Sequence, residues 1–121
     1  SPYGFPNHMI EHSMSAISDV PHGAGLSVIM PAWMQWYQSQ RPAQFKRFAK
    51  EIFGLDNADD GIQALKSWFD KIGTPTSLKQ LGIDDETLAE IIENAAQTAI
   101  RAKVEKTYTK EAIEAIFALA K

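Results

Sequence analysis

The sequence has no cysteine, and histidine occurs only three times in 121 residues. The first absence removes disulfides, zinc knuckles and thiol nucleophiles, and it suits a reducing compartment such as the cytoplasm. No apolar run approaches the roughly 20 residues a membrane-spanning helix requires, and the N-terminus lacks the basic-then-apolar plan of a secretory signal. Positive charge is not in excess: 12 Lys and Arg stand against 15 Asp and Glu, a formal net charge of −3. A nucleic-acid partner, which calls for a basic face, is therefore not expected. There is no G-x-G-x-x-G turn of the kind that follows a strand and cradles a pyrophosphate. Alternating or β-branched runs that would suggest a sheet are missing too, so nothing here is expected to bind a dinucleotide.

What is present is an ordinary apolar content of 45%, spread at helical intervals. The chain reads as one all-α domain over residues 1–121, with about six helices joined by short Pro, Gly and Thr connections. Residues 1–6, with two prolines and a glycine, read as an extended lead-in, and Asn7 as the cap of a first helix from about His8 to Ser18. Ile10, Met14 and Ile17 are its apolar face. Asp19-Val20-Pro21 breaks it. A second helix runs from about Gly23 to Ser39 through Leu26, Ile29, Met30 and Trp33, with Pro31 inside it. Trp33, Trp36 and Tyr37 could form a wall for a substrate, but core or domain-contact packing is the favoured reading.

The remaining pattern is regular. A helix beginning at Arg41-Pro42 carries Phe45, Phe48, Ile52 and Phe53 and ends at Gly54. Lys46, Arg47 and Lys50 on it read as a solvated face. Asp56-Asn57 caps a fourth helix with Ile62, Leu65, Trp68, Phe69 and Ile72 inward and Gly73 at its end. Ser77–Leu81 reads as a single turn of helix. Asp84 caps a helix over Glu86–Lys103 that points Leu88, Ile91, Ile92, Ala95 and Ile100 inward. Thr109 caps the last, Lys110 to about Ala120, with Ile113, Ile116, Phe117 and Leu119 buried.

Chemistry concentrates at one end. His8, His12 and His22 all fall between Asn7 and Trp36, and no histidine follows. Imidazole is both a common metal ligand and a proton carrier near neutral pH. His8 and His12, four apart, share a helix face, so spacing alone selects them as a ligand pair. H-x-x-x-H is a loose pattern, however, and a lone helix histidine is more often a satisfied structural residue.

The longer run is more specific. His8-x-x-Glu11-His12-x-x-Ser15-Ala16, then Asp19-x-Pro21-His22-Gly23-x-Gly25-Leu26, then Pro31-Ala32-Trp33-Met34, resembles the iron-containing alcohol dehydrogenases, in particular their butanol dehydrogenase-like branch. Ile72-Gly73-Thr74-Pro75-Thr76 and Leu81-Gly82-Ile83 continue the likeness. The resemblance implies the C-terminal part of the helical domain of a dehydroquinate synthase-like fold. It implies a divalent metal, Fe(II) or Zn(II), held by one Asp and three His. Two of those ligands would lie upstream in an Asp-x-x-x-His pair, and the other two would be His8 and His22. His12 would then be a catalytic residue beside the nicotinamide and substrate, relaying a proton. Glu11 is a candidate outer partner for a ligand imidazole, although an exposed helix Glu is the commoner case.

On this reading the chain is a C-terminal piece of an NAD- or NADP-dependent enzyme acting on a small alcohol or aldehyde. Its beginning at Ser1-Pro2-Tyr3 fits a trimmed or proteolysed chain. The dinucleotide-binding domain would be elsewhere, and the piece alone would be inactive. Apolar surface around Met14, Trp33 and Trp36 would be left uncovered and would favour a homo-oligomer. Two other readings stay open. A free-standing helical interaction domain would have a complete core and structural histidines that do not converge. A ligand-binding regulator would have an enclosed apolar cavity away from His8 and His22.

Overall fold

The computed structural model describes residues 6–18, 21–38 and 42–121; the side chains of residues 6–9, 11 and 22 lie outside that description. The described residues form six α-helices and no strand: α1 (Pro6–Ser18), α2 (His22–Tyr37), α3 (Pro42–Phe53), α4 (Ala58–Lys71), α5 (Asp85–Arg101) and α6 (Lys110–Leu119). None is long and apolar enough to cross a membrane.

α1 begins earlier than expected, at Pro6, so Asn7 lies inside the helix rather than capping it. Proline suits a first helical position, because its missing N–H would have no intrahelical acceptor there. The expected caps of the later helices are all made. Asn57 Oδ1 accepts from Asp60 N at 2.9 Å, Asp84 Oδ1 from Thr87 N at 2.8 Å, and Thr109 Oγ1 from Ala112 N at 3.1 Å. The Thr87 amide, by bonding to the charged form, holds the Asp84 carboxyl below its ordinary value.

α2 is the central element. It packs on α1, α4 and α6, while α1 also meets α5, α5 meets α6, and α3 lies against α4. The larger core is built from Ile10 and Met14 of α1, Val28 and Ile29 of α2, Leu88 and Ile91 of α5, and Ile113, Ile116 and Phe117 of α6. Each such side chain contributes about 1.5–3 kcal/mol on removal from water. A smaller cluster gathers Met34, Phe45 and Ile62 between α2, α3 and α4. Trp33 packs against both clusters and joins them.

Several apolar residues assigned inward are not. Ile52, Trp68, Ile72 and Ile100 are half or more exposed, and Ile17 and Leu119 over a third. Periodicity placed them on apolar stripes, but Ile52, Ile72, Ile100 and Leu119 sit in the last turns or just past them, where there is less neighbouring helix to cover them. In α5 the inward role falls to Ala99, which is fully buried. Met14, expected to be uncovered, is also fully buried, and Trp33 and Trp36 are half-buried in the core. Among the described residues the most exposed large apolar side chains are Ile52, Trp68, Ile72 and Ile100.

Residues 77–82 form a turn rather than a helical segment. The turn still carries a complete reciprocal cap: Ser77 Oγ accepts from Gln80 N and Gln80 Oε1 from Ser77 N, both at 3.2 Å.

Candidate metal-binding and proton-relay site

The three histidines sit on two helices that pack together. His8 lies in the first turn of α1, His12 one turn on, and His22 is the first residue of α2. Pro21, with φ −57° and ψ 139°, turns the chain into α2 and supplies the carbonyl for its first bond, from Gly25 N at 2.9 Å. The rings of His8 and His22 lie outside the described residues, as does the side chain of Glu11.

His12 is described, and its side chain is exposed. The inner side of α1 is taken by Ile10, Ser13 and Met14, all 2% exposed or less. The spacing that makes 10, 13 and 14 a buried stripe turns position 12 toward solvent.

Among the described residues no group of three or more His, Cys, Asp or Glu side chains comes together as a metal site. The donors this chain can add at the motif are imidazoles, which suit Fe(II) and Zn(II).

Behind the motif, the C-terminal half of α2 is fixed by aromatic packing. Trp33 stacks on Tyr37 with ring centroids 5.1 Å apart and meets Phe45 edge-on at 6.3 Å. Trp36 lies 5.4 Å from Tyr108. Trp33 Nε1 donates to the Tyr108 hydroxyl at 2.8 Å, across 75 residues of sequence. Burial pushes the Tyr108 phenol above its ordinary value. These contacts match the core-packing reading of Trp33 and Trp36. The partnership with Tyr108 was not legible in the sequence, where Thr107-Tyr108-Thr109 reads only as a helix separator.

A second anchor holds the N-terminal half of α2. Ser27, 3% exposed, donates its hydroxyl to the Pro75 carbonyl, with Ala24 O 3.0 Å away as a competing acceptor. The Pro75 loop is itself pinned. Thr74 Oγ1 donates to Phe69 O at 3.0 Å, Thr76 Oγ1 to Asp70 Oδ1 at 2.9 Å, and Thr76 N to Gln80 Oε1 at 2.7 Å. The S-x-x-Q spacing from Ser77 to Gln80 was available in the sequence as a signal for part of this loop.

An open hollow bordered by Gln38, Pro42, Lys46, Asp56 and Asp59 lies between the end of α2 and the starts of α3 and α4. It is not the enclosed apolar cavity a ligand-binding regulator would need.

Residues 5–120 match the model of the Fe-containing alcohol dehydrogenase family, C-terminal region. A probable NADH-dependent butanol dehydrogenase of Bacillus subtilis is 34% identical over 96 residues, which cover 73% of this chain and 25% of that protein. The crystal structure of NADH-dependent butanol dehydrogenase A from Thermotoga maritima superposes with a TM-score of 0.83 at 38% identity, covering 95% of this chain and 32% of that one. The Escherichia coli YqhD structure superposes at 0.82 with 18% identity, covering 95% of this chain and 31% of that one, which bears on the fold alone. The chain spans about a quarter of the length of the curated relatives it matches. The all-α architecture, the histidine-bearing pair α1–α2 and a family match over nearly the whole length together establish that this chain belongs to the Fe-containing alcohol dehydrogenase family, as its C-terminal region.

Proposed function

We propose that this chain is the metal-holding C-terminal region of an NAD(P)-dependent alcohol dehydrogenase or aldehyde reductase. The observation that carries this is the position of all three histidines, on two packed helices within the matched span. His8 and His22 are the proposed ligands, each giving one ring nitrogen as a neutral imidazole, with an Asp and a third His from outside this chain completing the set. A divalent metal bound there supplies Lewis-acid stabilisation of negative charge on the alcohol or carbonyl oxygen while hydride passes to or from the nicotinamide. His12, exposed on α1, takes the alcohol proton on a ring nitrogen during oxidation and returns it during aldehyde reduction. The relatives' names include both NADH- and NADPH-dependent enzymes acting on butanol or aldehydes, which supports a nicotinamide and a small alcohol or aldehyde as the reactants. The chain by itself is proposed to be inactive, since it carries part of a coordination sphere and no dinucleotide-binding fold.

Self-association of the isolated chain is also proposed, since Ile52, Trp68 and Ile72 are exposed apolar side chains in it. A clean monomer by sedimentation at high concentration overturns it.

The test of the main reading is metal analysis of the full-length protein together with an NAD(P)H-linked alcohol and aldehyde screen. His22→Ala is expected to lose most of its metal. Stoichiometric metal in that variant refutes the ligand assignment, and a loss in His12→Ala equal to that in His22→Ala restores the pairing that spacing alone selects.

A further inference from the structure

α2 has a weak point where Pro31 sits. Proline has no N–H, so the Ser27 carbonyl loses the helical partner that position 31 would supply, and the ladder is broken between the two halves of the helix. Such breaks let a helix bend. The half after the break is held by the Trp33–Tyr108 bond and the stacked rings. The half before it begins at His22. Beside the core packing of Val28 and Ile29, this half is tied to the fold by a polar bond at Ser27, whose hydroxyl reaches the Pro75 carbonyl.

We propose that Ser27, with the Pro75–Gln80 loop that receives its hydrogen bond, is a positioning device that fixes the direction of the first turns of α2 and so of His22. The inference rests on the reading of His22 as a metal ligand. Ser27 touches neither metal nor substrate in this account; it acts through the helix.

The geometry supports a rigid anchor rather than an incidental contact. Ser27 and Thr76 are 3% and 8% exposed. The loop is bonded to α4 through Thr74 and Thr76, and Leu78 N donates to Ala120 O at 2.8 Å, which ties it to the end of α6 as well. Two elements, α4 and α6, thus brace the loop that presents the carbonyl Ser27 meets. A helix half that lacks one rung of its own ladder takes part of its orientation from that brace, in addition to the core packing of Val28 and Ile29. Ligand geometry is sensitive to such support: loss of a group that orients a metal ligand typically costs about 10–100-fold in affinity.

The experiment follows metal release from the full-length, zinc-loaded protein to an excess of chelator, with thermal melting of each variant alongside. Ser27→Ala and Thr76→Val are each expected to speed release by about tenfold, and Ser27→Thr, which keeps the hydroxyl, to stay near wild type. Ala49→Gly in α3 serves as a control for destabilisation remote from the brace, and is expected to melt earlier without faster release. Wild-type release from Ser27→Ala and Thr76→Val, in a protein whose His22→Ala variant has lost its metal, overturns the inference alone. Faster release from Ala49→Gly in proportion to its melting shift overturns it too, since general loosening would then suffice. Full metal retention by His22→Ala refutes the ligand reading, and the positioning role falls with it.

Discussion

Gly61 offers a sharp test of how α3 and α4 fit together. It is a buried position in the first turns of α4, and helix propensity alone says that Gly61→Ala should stabilise by about 1 kcal/mol. The packing says otherwise. A Cβ built on Gly61 would stand 2.5 Å from Ala49 Cβ and 2.9 Å from Ala49 Cα. Ordinary carbon–carbon contact is about 3.5–4.0 Å, so the helices must part by roughly 1 Å. The atoms in the way are backbone and a methyl, with no rotamer to change. A gap of about that size forfeits a quarter to a half of the dispersion energy of the atoms beside it, which here include Phe45 and Ile62 of the smaller core. Overpacking of this kind costs about 1–3 kcal/mol. Less the propensity gain, the expected result is net destabilisation of up to about 2 kcal/mol. Urea unfolding followed by circular dichroism measures it, with the midpoint falling at unchanged slope. Adding Ala49→Gly should recover part of the loss, and only part, because the 2.9 Å approach to the Ala49 Cα remains. A Gly61→Ala protein as stable as wild type or more so would refute the close-approach argument.

Lys103 has φ 61°, the only positive value at a non-glycine among the described residues. It ends α5 with Lys103 N on Ile100 O at 3.1 Å and Val104 N on Ala99 O at 2.9 Å, an arrangement that favours glycine. Lys103→Gly should stabilise by about 0.5–1 kcal/mol after the added unfolded-state entropy of glycine is counted, read as a higher melting temperature. Tyr108→Phe should cost about 1–3 kcal/mol by leaving the Trp33 N–H without its acceptor, and chemical denaturation measures it. The Tyr108 phenol is raised in the folded state, so its contribution is fully present below the ordinary value of 10.0 and is lost as pH rises toward the folded value. Stability should decline above about pH 10 in the parent, and Tyr108→Phe should remove this share of the decline. His12→Ala in the full-length enzyme should keep its metal and slow turnover by about 10²–10⁴-fold; turnover at the parent rate removes His12 from the proton path.

Much of this fold could be read in advance because its helices announce their own starts. Asn57, Asp84 and Thr109 are short polar side chains placed before apolar periodicity, and each makes the bond that the pattern implies. Ile10, Ile29, Ile62, Ile91 and Phe117 likewise fall inside as their spacing requires. Periodicity fails where a residue's fate depends on a neighbour from elsewhere. Trp68 and Ile72 continue the stripe of Ile62 and Leu65, yet are exposed. Ser27, an unremarkable polar residue in an apolar helix, is buried because Pro75, 48 residues away, presents a carbonyl to it. At the site, the positions of the three histidines on α1 and α2 followed from local pattern, whereas their roles came from the family likeness. Nothing in the spacing of 8, 12 and 22 tells a ligand from a proton carrier.

The pairing of α1 with α5 and of α2 with α6 has a consequence for how the polypeptide is made. α3 and α4 are neighbours in sequence and can close on one another soon after both emerge from the ribosome. Ile10, Met14, Val28 and Ile29 have no such luck, since most of the side chains that cover them belong to segments translated last. Until Ile113 and Phe117 are synthesised, α1 and α2 lack the α5 and α6 side chains that complete their shared core. Assembly is therefore expected to be late and all at once for that half, and stalling translation between α4 and α5 should yield a product that a holdase chaperone binds.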